Sequence, residues 1–291
     1  MLVVFWALAT VSFFPSYKIA RIEVVTPPFS PPEQITAGDL IEIDFTQPMD
    51  KAFVNGREMT SLNELRHLGA VSIYHDFPTE ISGVKIVDSG SWLSHPVVHA
   101  FSVFIDVQTP KLEQAAKLRI PASVWEKVND DHAEQKAIER ETMRRLLANS
   151  NRPLIPSCWQ PPLDSKVVSK FASPRSLPNG KSYFHTGLDL RAATGTPIPA
   201  SGEGEVIYAG HMVVPGNVVV IDHGGGFFSR YMHLSEISVN VTDQVKQGQQ
   251  VGLAGATGRV EAPHLHWEVV WKGVKTDPLK ITKAWSHLCG K

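Results

Sequence analysis

The sequence predicts a mostly β protein on two observations: short runs whose polarity alternates with period two, and Gly- or Pro-rich punctuation between them. In Leu40-Ile41-Glu42-Ile43-Asp44-Phe45 the apolar Ile41, Ile43 and Phe45 share one face, and Glu42 and Asp44 share the other. Phe101, Val103, Ile105 and Val107 repeat the pattern between Ser102 and Asp106, with Phe104 interrupting the polar side. Short half-buried strands of this kind across residues 22–121 predict a small, immunoglobulin-like β-sandwich. Its histidines, His67, His75, His95 and His99, lack ligand spacing and read as surface or satisfied polar residues.

The β character breaks over residues 122–152. QKAIERETMRRLLANS contains no Gly or Pro, Asp131 with Glu134 has the spacing of a capping box, and Glu141 can pair with Arg144 and Arg145. This predicts a helical linker, charged enough to be a solvated spacer. Asn151-Arg152-Pro153 and PSCWQPPLD mark a boundary, and residues 160–285 return to Gly-rich turns between short Val/Ile strands such as Asn217-Val218-Val219-Val220-Ile221-Asp222. With no sustained helical periodicity, this part predicts a second unit of tightly turned antiparallel strands.

Composition excludes some functions. The chain has 291 residues, 43% hydrophobic and 20% charged, with a formal net charge of −1, which suits a globular protein of two cores. It does not suit a dedicated nucleic-acid binder or a polybasic membrane-surface protein. Residues 1–15, MLVVFWALATVSFF and then Pro15, form an apolar segment shorter than the ~20 residues of a membrane span but matching the core of a secretory signal. It predicts export to the periplasm or cell envelope, as a signal or as a membrane anchor, although no Lys or Arg precedes it. The two cysteines, Cys158 and Cys289, are too few for a disulfide scaffold or a cysteine zinc site. In an oxidising compartment a bond between them would close a long loop and contribute about 4 to 5 kcal/mol in the chain-entropy model.

Chemistry-bearing residues gather in the C-terminal unit. In PHLHWEVV, His264 and His266 face one way on a strand while Leu265 faces the other. His185-Thr186-Gly187-Leu188-Asp189 offers an imidazole and a carboxylate, which in an extended strand would stand about 13 Å apart. Sharing a metal therefore requires a bend, and Gly187 permits one. His233 lies between these motifs in Tyr231-Met232-His233-Leu234. Imidazole nitrogen and carboxylate oxygen suit Zn²⁺, and a catalytic zinc keeps three protein ligands and an open position. His185, Asp189 and one member of the His264/His266 pair supply that set, leaving the other member and His233 to act beside it. His223, followed by Gly224-Gly225-Gly226, reads as structural, His211 and His287 as surface residues, and Trp267 and Trp271 as core.

HTGLD, YMHLS and PHLHW resemble the motifs of the zinc metallopeptidases of the lysostaphin and LytM type, peptidase family M23. The resemblance covers roughly residues 166–278 and extends to Ala193-Thr194-Gly195-Thr196-Pro197-Ile198 and Gly255-Ala256-Thr257-Gly258-Arg259. The N-terminal β region and helix resemble the extension of many exported bacterial members. The resemblance implies a C-terminal antiparallel β-sheet peptidase domain of the LytM, duplicated hybrid motif type. It also implies an endopeptidase that hydrolyses peptide cross-links of bacterial peptidoglycan by metal-activated water.

Carried over, it makes His185, Asp189 and His266 ligands of one Zn²⁺ per chain, and His233 and His264 the catalytic histidines, one acting as an imidazolium that stabilises developing charge. The implied partners are peptidoglycan stem or cross-bridge peptides, with a cell-envelope protein partner through the N-terminal unit, and no nucleic acid. One departure is Ser169-Lys170-Phe171-Ala172-Ser173, where members commonly carry a Ser-x-Phe-Gly type turn. Two other readings compete: an inactive member that activates or scaffolds another cell-wall hydrolase, and a phosphocarrier of similar β architecture, which would have no use for Asp189.

Overall fold

The computed structural model describes residues 21–87, 96–111, 115–129, 132–154 and 157–286. The apolar N-terminal segment, Asp131, His95, His287 and Cys289 lie outside the described residues; Cys158 is disulfide-bonded.

The N-terminal strands form where alternation put them. Leu40–Asp44 buries Ile41 and Ile43 and exposes Glu42 and Asp44. Val97–Gln108 buries Phe101 and Ile105 and leaves Phe104 in solvent. A six-stranded and a three-stranded sheet close over a core in which Phe29, Phe45 and Phe101 pack ring against ring. Of the two roles expected for the N-terminal histidines, surface or satisfied polar, His67 does not take the surface one. It is buried edge-on to Phe45, and burial lowers its pKa and keeps the ring neutral.

Two helices follow, Ala122–Asn129 and Ala133–Leu146. The second begins after His132, which makes no side-chain cap hydrogen bond; Asp131, on which the expected capping box rests, lies outside the described residues. Glu141 pairs with Arg144 and Arg145 as anticipated. The helix is more than a spacer: Met143 and Leu147 pack on Met212, Val218, Val220, Phe228 and Val270. Met143 and Leu147, one turn apart and backed by Leu146, dock a helix otherwise rich in charge, a stripe too narrow for overall composition to reveal.

An eight-stranded antiparallel sheet dominates the rest. Its order is Val167–Ser169, Leu188–Arg191, His264–Trp271, Phe227–Leu234, Gly216–Asp222, Gly204–Met212, Gln244–Val245, with Val274–Thr276 also pairing to His264–Trp271. One face carries Leu188, Leu190, Tyr231, Leu265, Trp267, Val269 and Trp271 into a core shared with the N-terminal sheets. Thr60 ties the two parts together, donating from Oγ1 to the Gly225 carbonyl and accepting from Trp271 Nε1. The turn at Gly224 touches the Pro153 carbonyl so closely that a Cβ would sit 1.9 Å from its oxygen, and its φ is +82°. The opposite face is divided: the helix Ala133–Leu146 covers an apolar half, and the remaining half is polar and open. Pro278–Ala284 is a helix that periodicity did not reveal, being only seven residues long; Asp277 caps it through Leu279 N.

Candidate metal centre and cleft

Strand register assembles the polar half. Asp189 lies opposite His266, and Arg191 opposite His264. Directly paired residues on adjacent antiparallel strands share a face, so all four side chains rise on the same side. Leu265 points into the core from the other side.

His185 reaches this group from the chain just before the strand. Its Nε2 is 3.0 Å from Asp189 Oδ1 and 2.9 Å from His266 Nδ1, and His266 Nδ1 is 2.7 Å from the same oxygen. One donor atom from each of His185, Asp189 and His266 falls within 4.8 Å of the others, and all three residues are buried. The bend at Gly187 has a different physical basis from the one expected. Its φ is not in the left-handed region; a Cβ there would stand 2.5 Å from Trp267 O and 2.8 Å from His266 Nε2. The glycine is required by close approach.

Each of the three is oriented from behind. His185 Nδ1 donates to the Lys170 carbonyl at 2.8 Å, which turns Nε2 inward. Arg175 donates to Asp189 Oδ2 at 2.5 Å, leaving Oδ1 for the centre. His266 Nε2 donates to Glu268 Oε1 at 3.2 Å, leaving Nδ1 inward. Outer partners of this kind fix tautomer and ring orientation in metal sites. Lys170, Arg175 and Glu268 were not anticipated from sequence. Only Glu268 left a signal, as an acidic residue two positions beyond His266 on the same strand face.

The turn that supplies the Lys170 carbonyl is intact despite its alanine. Ala172 adopts φ +64° and donates from its backbone N to His185 O at 2.9 Å. The conformation a glycine would adopt freely is here imposed on alanine at a cost of about 1 kcal/mol.

His233 is placed by a second left-handed residue. Along Phe227–Leu234, Arg230 and Met232 face the cleft and Tyr231 the core, so alternation would send His233 into the core. Its φ of +64° breaks the alternation and turns the ring to the cleft, 5.0 Å from His264 and 5.9 Å from His266 between ring centroids. Nδ1 of His233 donates to the Thr257 carbonyl at 2.9 Å, and Nδ1 of His264 to the Ala262 carbonyl at 2.8 Å. Each ring therefore presents Nε2 as its uncommitted nitrogen; that of His264 is 3.6 Å from Asp189 Oδ1.

Burial opposes charge at each of these groups, and at His266 the hydrogen bonds to Asp189 and Glu268 overcome it and raise the pKa. Burial lowers the pKa of His185 against the opposing pull of Asp189, and lowers that of His233 to about 3. Burial opposes ionisation of Asp189, but hydrogen bonds from His185 and His266 hold its carboxyl below the usual range. Burial likewise opposes ionisation of Glu268, and Arg230 and Lys275 overcome it. The donor set thus comprises deprotonatable imidazoles and a carboxylate that stays ionised, which is what a zinc ligand set needs.

The cleft holds about 740 Å³, and His185, Asp189, His233, His264 and His266 all line it. Leu118 and Ile120 also line it. That segment is held at both ends: Ala116–Lys117 pairs in parallel with Arg175–Ser176, and Arg119 N donates to Glu261.

Residues 183–278 match peptidase family M23. The segment is an M23 peptidase domain. Peptidoglycan DD-endopeptidase ShyA of Vibrio cholerae is 41% identical over 122 residues, 41% of this chain and 28% of that protein. The cell division protein DipM of Caulobacter vibrioides is 39% identical over 120 residues, 41% of this chain and 19% of that protein. The chain thus spans less than a third of the length of these curated relatives. A crystal structure described as a candidate M23 peptidase from Pseudomonas aeruginosa superposes with a TM-score of 0.60, covering 85% of this chain and 94% of that one at 24% identity. That likeness is one of fold, and it extends beyond the M23 domain. Within the domain, the remaining histidine of the Gly-rich turns stands apart: His223 is buried away from the cleft between Glu203 O and Ser229 Oγ.

Proposed function

We propose that the protein is a zinc endopeptidase that hydrolyses peptide cross-links of bacterial peptidoglycan. The observation that carries this reading is the convergence of His185, Asp189 and His266 inside an M23 domain, with His233 and His264 beside them. The names of the relatives support the substrate class. In this reading, residues 160–285 are the peptidase unit, residues 22–121 an immunoglobulin-like accessory unit and residues 122–152 a helical linker. The site of action is the cell envelope; among the described residues no helix is long and apolar enough to cross a membrane.

His185 Nε2, Asp189 Oδ1 and His266 Nδ1 would hold the zinc ion. When bound, the ion supplies Lewis acidity that polarises a peptide carbonyl and makes water nucleophilic at neutral pH. The chain's own residues move the proton. His233, neutral and with its Nδ1 hydrogen committed to Thr257, offers a lone pair at Nε2. It rests as a base and becomes an imidazolium on taking up the proton. Attack forms the C–O bond, a proton leaves water for an imidazole Nε2, and the C–N bond breaks as that proton passes to the leaving amine. His264, fixed through Ala262, is the second imidazole positioned to exchange a proton with the reacting groups.

The test is digestion of purified peptidoglycan by the zinc-loaded protein. Cross-link cleavage that stops on chelation and returns with zinc supports the reading. Full zinc occupancy without cleavage supports the inactive activator or scaffold reading instead.

A further inference from the structure

The cleft is far more basic than the chain. Lys117, Arg175, Arg191, Arg230, Arg259 and Lys275 line it, in a protein of formal net charge −1. Most of the acidic groups facing them are already engaged: Asp189 holds Arg175, and Glu268 holds Arg230 and Lys275. Among the described residues, no hydrogen bond or ion pair engages the guanidinium of Arg191 or of Arg259.

Their positions are specific. Arg191 is the cross-strand partner of His264 and shares its face, so an exposed guanidinium stands directly beside that imidazole. Arg259 also lines the cleft, two residues beyond Thr257, whose carbonyl holds His233. Its loop is pinned rather than loose. Arg259 N donates to Val214 O, Thr257 Oγ1 to Leu234 O, and Gly258 lies so close to Gly216 that a Cβ would meet its nitrogen at 2.4 Å. A planar guanidinium matches a carboxylate bidentately, and field lines in a low-dielectric cleft favour an anionic ligand.

We propose that Arg191 and Arg259 bind carboxylates that flank the scissile bond, so that the cleft selects acidic peptides. This rests on the peptidase reading and specifies its substrate. Neutral cross-bridges would leave both cations unmatched in the cleft, whereas a peptide with free carboxylates on either side of the cleaved bond would pair with each.

The experiment compares two synthetic cross-linked peptides of one sequence, with the side carboxylates free in one and amidated in the other, on the zinc-loaded full chain. Wild type should prefer the acid form in kcat/KM by about 10- to 100-fold, the worth of a charge-assisted pair. Arg191→Gln or Arg259→Gln should lower that preference severalfold, their combination should bring it towards one, and Arg191→Lys should restore part of it. No preference in wild type, or the wild-type preference retained undiminished in both glutamine variants, would overturn the proposal. If neither peptide is cleaved, the peptidase reading fails separately. Calorimetric binding of the acid and amide forms then decides the point: tighter acid binding lost in Arg191→Gln sustains carboxylate recognition, and equal binding refutes it.

Discussion

Glu268 accepts a hydrogen bond from His266 Nε2 at 3.2 Å while itself buried between Arg230 and Lys275. A carboxylate so enclosed fixes which nitrogen of His266 faces the centre, and raises the basicity of the imidazole it holds. Thr186 Oγ1 donates to the same carboxylate, so the segment that carries His185 and the strand that carries His266 share one anchor.

Glu268→Gln keeps an acceptor and loses the charge, and leaves Arg230 buried without its counter-ion. Zinc affinity, measured by chelator competition, should fall by about 10- to 100-fold. Glu268→Leu should weaken it further. An unaltered dissociation constant in both variants would remove Glu268 from the account.

The two uncommitted imidazoles should separate from the ligands. His264→Ala and His233→Ala should retain full zinc stoichiometry and lose about 10²- to 10⁴-fold in kcat, the usual worth of a positioned acid or base. His266→Ala should lose the metal. Elemental analysis beside single-turnover rates distinguishes these outcomes, and zinc lost equally from all three variants would argue against the division of roles.

Burial pushes His223 down to about 3. A histidine depressed in the folded state binds its proton only in the unfolded chain over that range, so its contribution is intact above about pH 6.5 and is lost as pH falls from there towards 3. The expected slope from this residue is about 1.4 kcal/mol per pH unit. Denaturant unfolding from pH 7 to 4 should show a shallower acid loss in His223→Gln than in wild type; parallel curves would contradict it.

The tethered segment that carries Leu118 and Ile120 should restrain the enzyme. Leu118 and Ile120 line the cleft while Glu261 holds Arg119 N. Releasing that bond in Glu261→Ala should speed hydrolysis of a large substrate by about fivefold, the worth of one hydrogen bond. An unaltered rate on intact peptidoglycan would show that the segment does not stand in the substrate's path.

Much of the site was legible because a strand's alternation is rigid: the shared face of His264 and His266, and the inward Leu265, follow from period two alone. The resemblance then told the pair apart, and the register of Asp189 with His266 fits that division. His233 was legible only as a residue type, since its left-handed φ is a departure from alternation that no pattern announces. Arg175 and the Lys170 carbonyl come from an adjoining turn and strand whose approach is set by tertiary packing. For the same reason the docking of Met143 and Leu147 stayed hidden. Gly187 was singled out correctly, but close packing against Trp267 and His266 is the constraint, and neighbours in space are what sequence spacing omits.

Mass spectrometry of muropeptides after digestion of purified peptidoglycan with the zinc-loaded protein tests the central claim most directly. Cross-linked dimers should be converted to monomers by addition of one water per cross-link, and a chelator should abolish the conversion. Dimers that persist undiminished with zinc at full stoichiometry would contradict that claim.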